Sequence, residues 1–200
     1  MKFLIVGTGR CGTRWATEVL RLAGLHVGHQ AVFRHEHVLG AQWSWNDYDG
    51  DCSFEAVPML DRIDARKVLL WRDAREVAAS WLSLGLFTDD MPDRYGMFSK
   101  VLDEYFPAVL TEATPVLRAF RFWSIWNLYA FTRCDVVLEL RHTTPARLAD
   151  AVAPGLHPPT VVPIIDDCAH HDRQAVTLLD AVPDYVTRTH EYLVNAGVSV

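Results

Sequence analysis

The sequence lacks the features of an exported, membrane-spanning or disulfide-stabilised protein. Its four cysteines are scattered, with no CxxC pair and no zinc-ligand spacing, so neither a disulfide framework nor a structural zinc site is expected. The apolar run near the N-terminus covers only residues 3–6, which is too short for a signal-peptide core, and no run approaches the length of a membrane span. These absences predict a cytoplasmic protein without a membrane span.

Positive charge is also scarce, and lysine most of all. The 200 residues carry 19 Lys and Arg against 25 Asp and Glu, a formal net charge of −6, and only three of the basic residues are lysines. A protein that coats nucleic acid needs clustered positive charge, so nucleic acid is not an expected partner. Any anionic ligand must be bound locally, by arginines whose planar guanidinium groups suit oxyanions.

Half of the residues are apolar, which is enough to build a buried core in a chain of this length. Residues 3–6 form a short apolar run that ends in glycine, typical of a buried parallel strand, and apolar positions from Thr13 repeat at helical spacing as far as Gly24. Strands are also predicted at 25–29, 68–71 and 136–140, and helices at 73–84, 114–132 and 184–195. This alternation predicts one α/β domain over residues 1–200, with a central, mainly parallel sheet.

Residues 33–55 differ from the rest of the chain, because they show no clear period and hold several Asp and Gly together with Trp43, Trp45 and Tyr48. We predict a long functional loop here. Its aromatic residues are candidates either for stacking on a sugar or aromatic acceptor or for anchoring the loop to the core.

Residues 7–14, which we call the glycine loop, read Gly-Thr-Gly-Arg-Cys-Gly-Thr-Arg and join the first strand to the first helix. Backbone N–H groups and the helix dipole at such a junction hold phosphate or sulfate groups, so the loop is predicted to bind an anion. Gly7, Gly9 and Gly12 match the dinucleotide fingerprint. That motif also requires an acid for the ribose at the end of the next strand, where Gln30 stands, so the dinucleotide interpretation is weakened.

A triphosphate-binding P-loop is the second interpretation of these glycines. Gly7 and Gly12 have its spacing, but the motif requires lysine at 13 and Ser or Thr at 14 to hold the phosphates and Mg²⁺. Thr13 and Arg14 stand there instead. The loop is therefore expected to bind a phosphate group without supporting Mg²⁺-dependent triphosphate chemistry, and its internal cation is Arg10.

Two spaced motifs resemble the sulfotransferase family. Residues 10–15, Arg-Cys-Gly-Thr-Arg-Trp, are similar to its 5′-phosphosulfate loop, in which a basic residue and a small residue precede Gly-Thr and commonly Thr and Trp. In that family a strand ends in Arg-Asp or Arg-Asn and a serine follows eight residues after the arginine, the interval that separates Arg72 from Ser80. Weaker similarity at 28–30, 53–60, 123–127 and 137–141 follows the order of a compact bacterial branch. The Arg-Lys-Gly element that cytosolic members carry near the C-terminus is absent.

The resemblance implies a P-loop NTPase-like three-layer α/β fold and a sulfotransferase activity. Such enzymes move a sulfuryl group from 3′-phosphoadenosine 5′-phosphosulfate to a hydroxyl acceptor, such as a carbohydrate, a lipid or another small molecule, and release adenosine 3′,5′-bisphosphate. Arg10 is expected to stabilise charge on the leaving phosphate, and Arg72 and Ser80 to bind the 3′-phosphate. The full set of donor-binding residues that the motifs imply is Gly9, Arg10, Cys11, Gly12, Thr13, Arg14, Trp15 (against the adenine), Arg72 and Ser80.

The group that accepts the proton of the acceptor hydroxyl is the second catalytic requirement. Similar sequences carry Gly-His-Glu where this chain has Gly28-His29-Gln30, and an amide does not accept a proton usefully. We expect His29 to be the base, with His35 and Glu36 as alternatives if the following loop folds back over the donor. The alternative functions are a catalytically weak nucleotide-binding protein that has lost its base and a P-loop nucleotide kinase.

Two groups of histidines are candidates for metal binding, at residues 35–37 (His-Glu-His) and at His170-His171. Neither has HExxH spacing or a third ligand at a recognisable distance, so solvated loops are expected at both. No metal cofactor is predicted.

Overall fold

The computed structural model describes residues 1–89, 95–158 and 182–197. Five strands form one all-parallel sheet: β1 (Phe3–Val6), β2 (Val27–His29), β3 (Gly50–Cys52), β4 (Arg66–Trp71) and β5 (Val136–Glu139). Their order across the sheet is β2-β3-β1-β4-β5, so the first strand of the chain lies at the centre. The apolar run of β1 explains this position, because all four of its side chains are buried, as a strand covered on both faces requires.

Helices follow most of these strands. The α-helices are α1 (Thr13–Leu22), α2 (His35–Val38), α3 (Ala74–Leu82), α4 (Gly96–Tyr105), α5 (Pro115–Phe131), α6 (Pro145–Val152) and α7 (Asp184–Gly197). Short 3₁₀ helices cover Phe54–Arg62, Pro107–Val109 and Leu140–His142. The predicted strands and helices are all confirmed to within about two residues at each end, whereas α2, β3, α4 and α6 were not predicted. None of the helices in the described part of the chain is long and apolar enough to cross a membrane.

The sheet lies between two layers of helices. On one face, Ala16, Val19 and Leu20 of α1 pack with Leu148 and Val152 of α6 against the sheet. On the other face, α3, α4, α5 and α7 bury a larger, aromatic core over the alternate side chains of β1 and β4. The predicted α/β class with a central parallel sheet is confirmed, and the strands are parallel throughout.

Helix α3 begins at a side-chain cap, with Asp73 as its N-cap residue. The Asp73 carboxylate accepts hydrogen bonds from the backbone N–H groups of Arg75 (2.9 Å) and Glu76 (3.4 Å). Such a cap satisfies N–H groups that the first turn of a helix leaves without an internal partner. It fixes α3 directly after β4, with Arg72 at the junction and Ser80 about two turns along the helix.

The segment 33–55, predicted to be a long loop, contains α2 and β3. The prediction was wrong for β3 because the three residues of this strand, Gly-Asp-Cys, form neither an apolar run nor an alternating pattern. Gly50 lies against the ring of Phe3, where a Cβ would collide. Asp51 is fully buried and accepts backbone hydrogen bonds from the turn after β2. Tertiary contacts therefore select the residues of this strand.

The aromatic residues of the same segment anchor it to the core. Trp43 and Trp45 contact the ring of Phe33, with centroid distances of 4.7 and 5.0 Å, and Tyr48 stacks on His26 at 4.4 Å. None of the three lines the cleft that holds the candidate site. Of the two roles considered for them, the structure supports anchoring.

Candidate functional site

A cleft of about 1080 Å³ opens at the carboxyl edge of the sheet, where the loops after the parallel strands meet. The predicted site residues that line it are Gly9, Arg10, Gly12, Thr13, Arg14, Trp15, His29, Arg72 and Ser80. Cys11 is the exception, because its side chain is fully buried and burial raises the pKa of its thiol to about 11. Any contact of Cys11 with a ligand in the cleft is therefore limited to its backbone.

The glycine loop joins β1 to α1 through several left-handed residues. Gly9, Arg10 and Gly12 have φ angles of 67°, 54° and 94°, and such turns gather backbone N–H groups into an anion-binding concavity. A side chain at Gly9 would place its Cβ 2.5 Å from Trp81, and one at Gly12 would place it 2.6 Å from Leu140, so glycine is required at both positions. Gly12 is also the N-cap of α1 and provides no side-chain cap, which leaves the first N–H groups of the helix available to a ligand.

Buried indole groups hold the strand ends from the core side. Trp126 Nε1 donates to the backbone carbonyl of Gly7 at 2.9 Å, and Trp81 Nε1 donates to that of Thr8 at 3.0 Å. A third indole, that of Trp123, donates to the backbone carbonyl of Arg72 at 2.9 Å. Because each carbonyl accepts a hydrogen bond from a buried indole, the positions of these carbonyls are tightly restrained. Sequence analysis missed these contacts, because Trp123, Trp81 and Trp126 lie 51, 73 and 119 residues along the chain from the carbonyls they bind.

The two arginine-bearing motifs meet in the cleft. The Nε of Arg10 donates to Oγ of Ser80 at 2.7 Å, and Nη1 of Arg72 lies 3.4 Å from the backbone carbonyl of Arg10. This proximity depends on β1 and β4 being neighbours in the sheet, with Val6 paired to Leu69. The glycine loop and the pair formed by Arg72 and Ser80 therefore belong to one site.

Glu76 joins two arginines at the same end of the cleft. It forms an ion pair with Arg72, four residues earlier, and its other carboxylate oxygen lies 3.4 Å from Nη2 of Arg141, in the 3₁₀ helix after β5. The side chains of Glu76 and Arg141 are 41% and 62% exposed, so these ion pairs contribute little stability. An anionic ligand that enters here can replace the carboxylate of Glu76.

The strand order gives the cleft two chemically different ends. Strands β4 and β5 bring Arg72 and Arg141 to one end, and β1 brings the glycine loop to the middle. Strands β2 and β3 bring Gln30 and Glu55 to the other end. Clustered guanidinium groups attract phosphate, so an anionic ligand that displaces Glu76 from Arg72 and Arg141 is favoured at the arginine end and over the loop.

Glu55 is a residue of the cleft that sequence analysis missed, as it missed Glu76 and Arg141. Its Oε1 accepts a hydrogen bond from Nε2 of Gln30 at 3.0 Å, and its Oε2 accepts one from the backbone N–H of His35 at 2.6 Å. Burial raises the pKa of Glu55 to about 7, although the hydrogen bond from His35 opposes this shift. No local signal marked Glu55, because it follows the strand that the sequence did not reveal and its partner Gln30 lies 25 residues earlier.

His29, the predicted base, lies beside the glycine loop. Its Nε2 is 3.3 Å from Oγ1 of Thr13, the first residue of α1. Burial and, secondarily, two nearby arginines lower the pKa of His29, so the ring is neutral at physiological pH. Of the two alternative bases, His35 lines the cleft and Glu36 does not.

Within the part of the chain that the structure describes, no three His, Cys, Asp or Glu side chains are grouped closely enough to hold a metal ion. His170 and His171 lie outside the described residues. Comparison with models of known protein families finds no match, and a search of curated proteins finds no similar sequence.

Proposed function

We propose that this protein is a sulfotransferase that moves the sulfuryl group of 3′-phosphoadenosine 5′-phosphosulfate to the hydroxyl of a small-molecule or glycan acceptor. The observation that carries the proposal is the meeting of the glycine loop, Arg72 and Ser80 in one cleft. The donor has a 3′-phosphate and a 5′-phosphosulfate on one ribose, and the two motifs provide two adjacent anion sites. The loop after the central strand of a three-layer fold also supports a P-loop-like architecture.

In this proposal each motif binds one end of the donor. The glycine loop and the first N–H groups of α1 bind the 5′-phosphosulfate, and the hydroxyl of Thr13 adds a hydrogen bond. Arg72 and Ser80 bind the 3′-phosphate, the ligand replacing Glu76 as the partner of Arg72. Trp15, which lines the cleft and is only partly buried, presents its ring to the adenine.

Arg10 supplies the charge stabilisation that the reaction needs. In sulfuryl transfer, as in phosphoryl transfer, the protein mainly positions the reactants and stabilises charge on the leaving oxygen. Arg10 stands in the loop that binds the phosphosulfate, and its hydrogen bond to Ser80 restricts the guanidinium before any ligand enters. Such preorganisation is the main source of electrostatic catalysis. The positive charge is thus provided by arginine.

Calorimetry with adenosine 3′,5′-bisphosphate, ATP and NAD tests the nucleotide site. The bisphosphate is expected to bind more tightly than the other two nucleotides. Arg10→Ala is expected to reduce sulfuryl transfer more than it reduces bisphosphate binding. Arg133→Ala is the control for the loss of one arginine, because Arg133 pairs with Asp61 and does not line the cleft.

Three outcomes contradict the proposal in different ways. Absence of bisphosphate binding together with tight binding of NAD or ATP would refute the nucleotide assignment. Consumption of ATP that depends on Mg²⁺ would instead favour a nucleotide kinase. If the bisphosphate binds but labelled sulfate reaches no carbohydrate, lipid, aromatic alcohol or water, the protein is a nucleotide-binding protein without transferase activity.

A further inference from the structure

The end of the cleft opposite the arginines holds a buried carboxylate with uncharged partners. We call Glu55, Gln30 and His35 the Glu55 cluster. The Glu55 side chain is 14% exposed and receives its hydrogen bonds from an amide and from a backbone N–H. His35 Nδ1 lies 3.3 Å from Oε2, but burial lowers the pKa of His35 to about 4, so the ring carries no charge at neutral pH. No arginine or lysine among the described residues forms an ion pair with Glu55, so the carboxylate keeps its basicity.

The backbone that presents Gln30 is strained and firmly held. Gln30 has a φ of 53°, a left-handed conformation that residues with side chains seldom adopt. Its N–H donates to the carbonyl of Cys52 at 3.2 Å. The next three N–H groups, of residues 31–33, donate to the buried carboxylate of Asp51 at 3.0 to 3.3 Å. These contacts keep the Gln30 amide on Glu55, and backbone strain of this kind is concentrated at functional sites.

The cluster stands on the acceptor side of the proposed donor site. Ile5 of β1 pairs with Cys52 of β3, so the chain leaves both strands at the same level, and Glu55 follows three residues later. The glycine loop leaves β1 beside it, and Phe54 packs 3.2 Å from the position of a Cβ on Gly9. The Glu55 cluster lines the cleft on the β2–β3 side of the glycine loop, away from Arg72, and in the proposed function the acceptor enters from that side.

His29 faces a different group. Its Nε2 is 3.3 Å from the hydroxyl of Thr13, which the proposed function assigns to the 5′-phosphosulfate. A histidine in that position orients a donor of the phosphate site. Its pKa is also lowered, mainly by burial, which makes it a weaker base than an ordinary imidazole.

Resting on the proposed function, we infer that Glu55 is the catalytic residue that accepts the proton of the acceptor hydroxyl, and that Gln30 positions it. The acceptor oxygen forms a bond to the sulfur while its proton passes to the Glu55 carboxylate. The bond between the sulfur and the bridging phosphate oxygen breaks, and its electron pair stays on that oxygen. The products are the sulfate ester and adenosine 3′,5′-bisphosphate, and Glu55 later releases the proton to solvent. Gln30 thus does not mark a lost base, because the carboxylate that it contacts supplies one.

The test measures transfer and nucleotide binding in the same variants. With donor labelled in the sulfuryl group, transfer is followed to a panel of carbohydrates, lipids and aromatic alcohols and, as release of sulfate, to water. Glu55→Gln is expected to lower kcat by about 10²- to 10⁴-fold, the usual contribution of a general base. Its Kd for adenosine 3′,5′-bisphosphate is expected to stay within about twofold, since the ligand's phosphates lie at the other end of the cleft. Glu104→Gln is the control, because this glutamate of α4 is exposed and does not line the cleft, and its loss is expected to change neither quantity.

Two further measurements separate a chemical role from a structural one. Sodium formate is expected to restore part of the rate of Glu55→Ala and none of the rate of Arg10→Ala. The rate of the wild-type protein is expected to decrease as the pH is lowered through an apparent pKa near 7, where Glu55 becomes protonated. This decrease at low pH is expected to be absent in Glu55→Gln. The titratable and charged groups that face Glu55 are His35 and Glu36 of α2, Arg34 before it and Asp51 of β3, and all are retained in these variants.

The results distinguish this inference from the proposed function. If the wild-type protein does not bind the bisphosphate, both fail together. If it binds the bisphosphate and Glu55→Gln transfers sulfate at the wild-type rate, the inference alone is overturned. It is also overturned if His29→Gln abolishes transfer while Glu55→Gln does not, or if the wild-type protein binds the bisphosphate but shows no transfer, even to water.

Discussion

Replacing Arg72 by alanine should weaken the binding of adenosine 3′,5′-bisphosphate and leave the binding of adenosine 5′-phosphate nearly unchanged. The two ligands differ only in the 3′-phosphate, which the proposed function assigns to Arg72 and Ser80. The comparison therefore isolates one contact between protein and ligand, as a double-mutant cycle does.

The size of the effect follows from what Arg72 gains and loses when the ligand binds. A hydrogen bond to a charged group contributes about 1.5–3 kcal/mol. The partly exposed ion pair with Glu76, which the phosphate would displace, is worth about 0–1 kcal/mol. The difference is about 0.5–3 kcal/mol, and we expect about 1.5 kcal/mol, which corresponds to roughly a tenfold rise in Kd for the bisphosphate.

Calorimetric titration of both ligands into the wild-type protein and into Arg72→Ala measures this difference directly. Arg133→Ala, which breaks an ion pair outside the cleft, serves as the control for general loss of positive charge. The difference between the ligands should shrink as salt is raised, because the contact is electrostatic and partly exposed to solvent. Equal weakening of both ligands, or of neither, would show that Arg72 does not bind the 3′-phosphate.

Three other predictions concern the core and the Glu55 cluster. Trp126→Phe removes the donor to the buried carbonyl of Gly7 and should lower the free energy of unfolding, measured in urea, by about 1–3 kcal/mol for the unsatisfied acceptor in addition to lost packing. Trp71→Phe should cost less, because the buried indole N–H of Trp71 has no hydrogen-bond partner among the described residues, and an equal cost would contradict the role of the Gly7 contact. The pKa of Glu55 is about 7 in the folded protein, above its ordinary value of 4.5. The contribution of Glu55 to the free energy of unfolding is therefore fully present below pH 4.5 and is lost as the pH rises through 7. The unfolding free energy of Glu55→Gln, relative to the wild-type protein, should therefore be about 2–3 kcal/mol higher at pH 8 than at pH 5, and no difference in urea titrations at the two pH values would refute the buried carboxylate. Gln30→Glu replaces an amide donor by a second carboxylate beside Glu55 and should lower transfer at pH 7 by about tenfold or more, whereas a large gain in transfer would show that residue 30 is the site of a lost base.

Local chemistry explains which parts of this protein could be predicted. The strand β1, the glycine loop and helix α1 follow one another in the chain, and each carries its own signal: an apolar run, glycines with left-handed backbone, and helical spacing of apolar residues. The cap at Asp73 likewise acts on N–H groups two and three residues away. Arg72 and Ser80 could be predicted as a pair because only eight residues separate them, although their assignment to a phosphate site also depends on the glycine-loop motif.

The contacts that complete the site are not local. Strand β3 has no apolar pattern, because its residues are required by distant contacts. Gly50 leaves room for the ring of Phe3, and Asp51 accepts hydrogen bonds from the turn after β2. The sequence therefore predicts His29, His35 and Glu36 as candidate bases and carries no local signal for Glu55. The hydrogen bonds from Trp81 and Trp126 to the glycine loop also join residues far apart in the chain.

The amino-acid sequence alone thus determined the α/β class, the glycine-rich turn between β1 and α1 and the candidate residues for two phosphate groups, because turns, caps and periodic patterns depend on residues within a few positions of one another. Only the tertiary structure decided that Arg10 and Arg72 share a cleft and that Gln30 contacts Glu55 at its other end. The physical reason is the order of the parallel strands. Which strands are neighbours depends on how the helices pack on both faces of the sheet, and that order sets which distant side chains meet at its carboxyl edge.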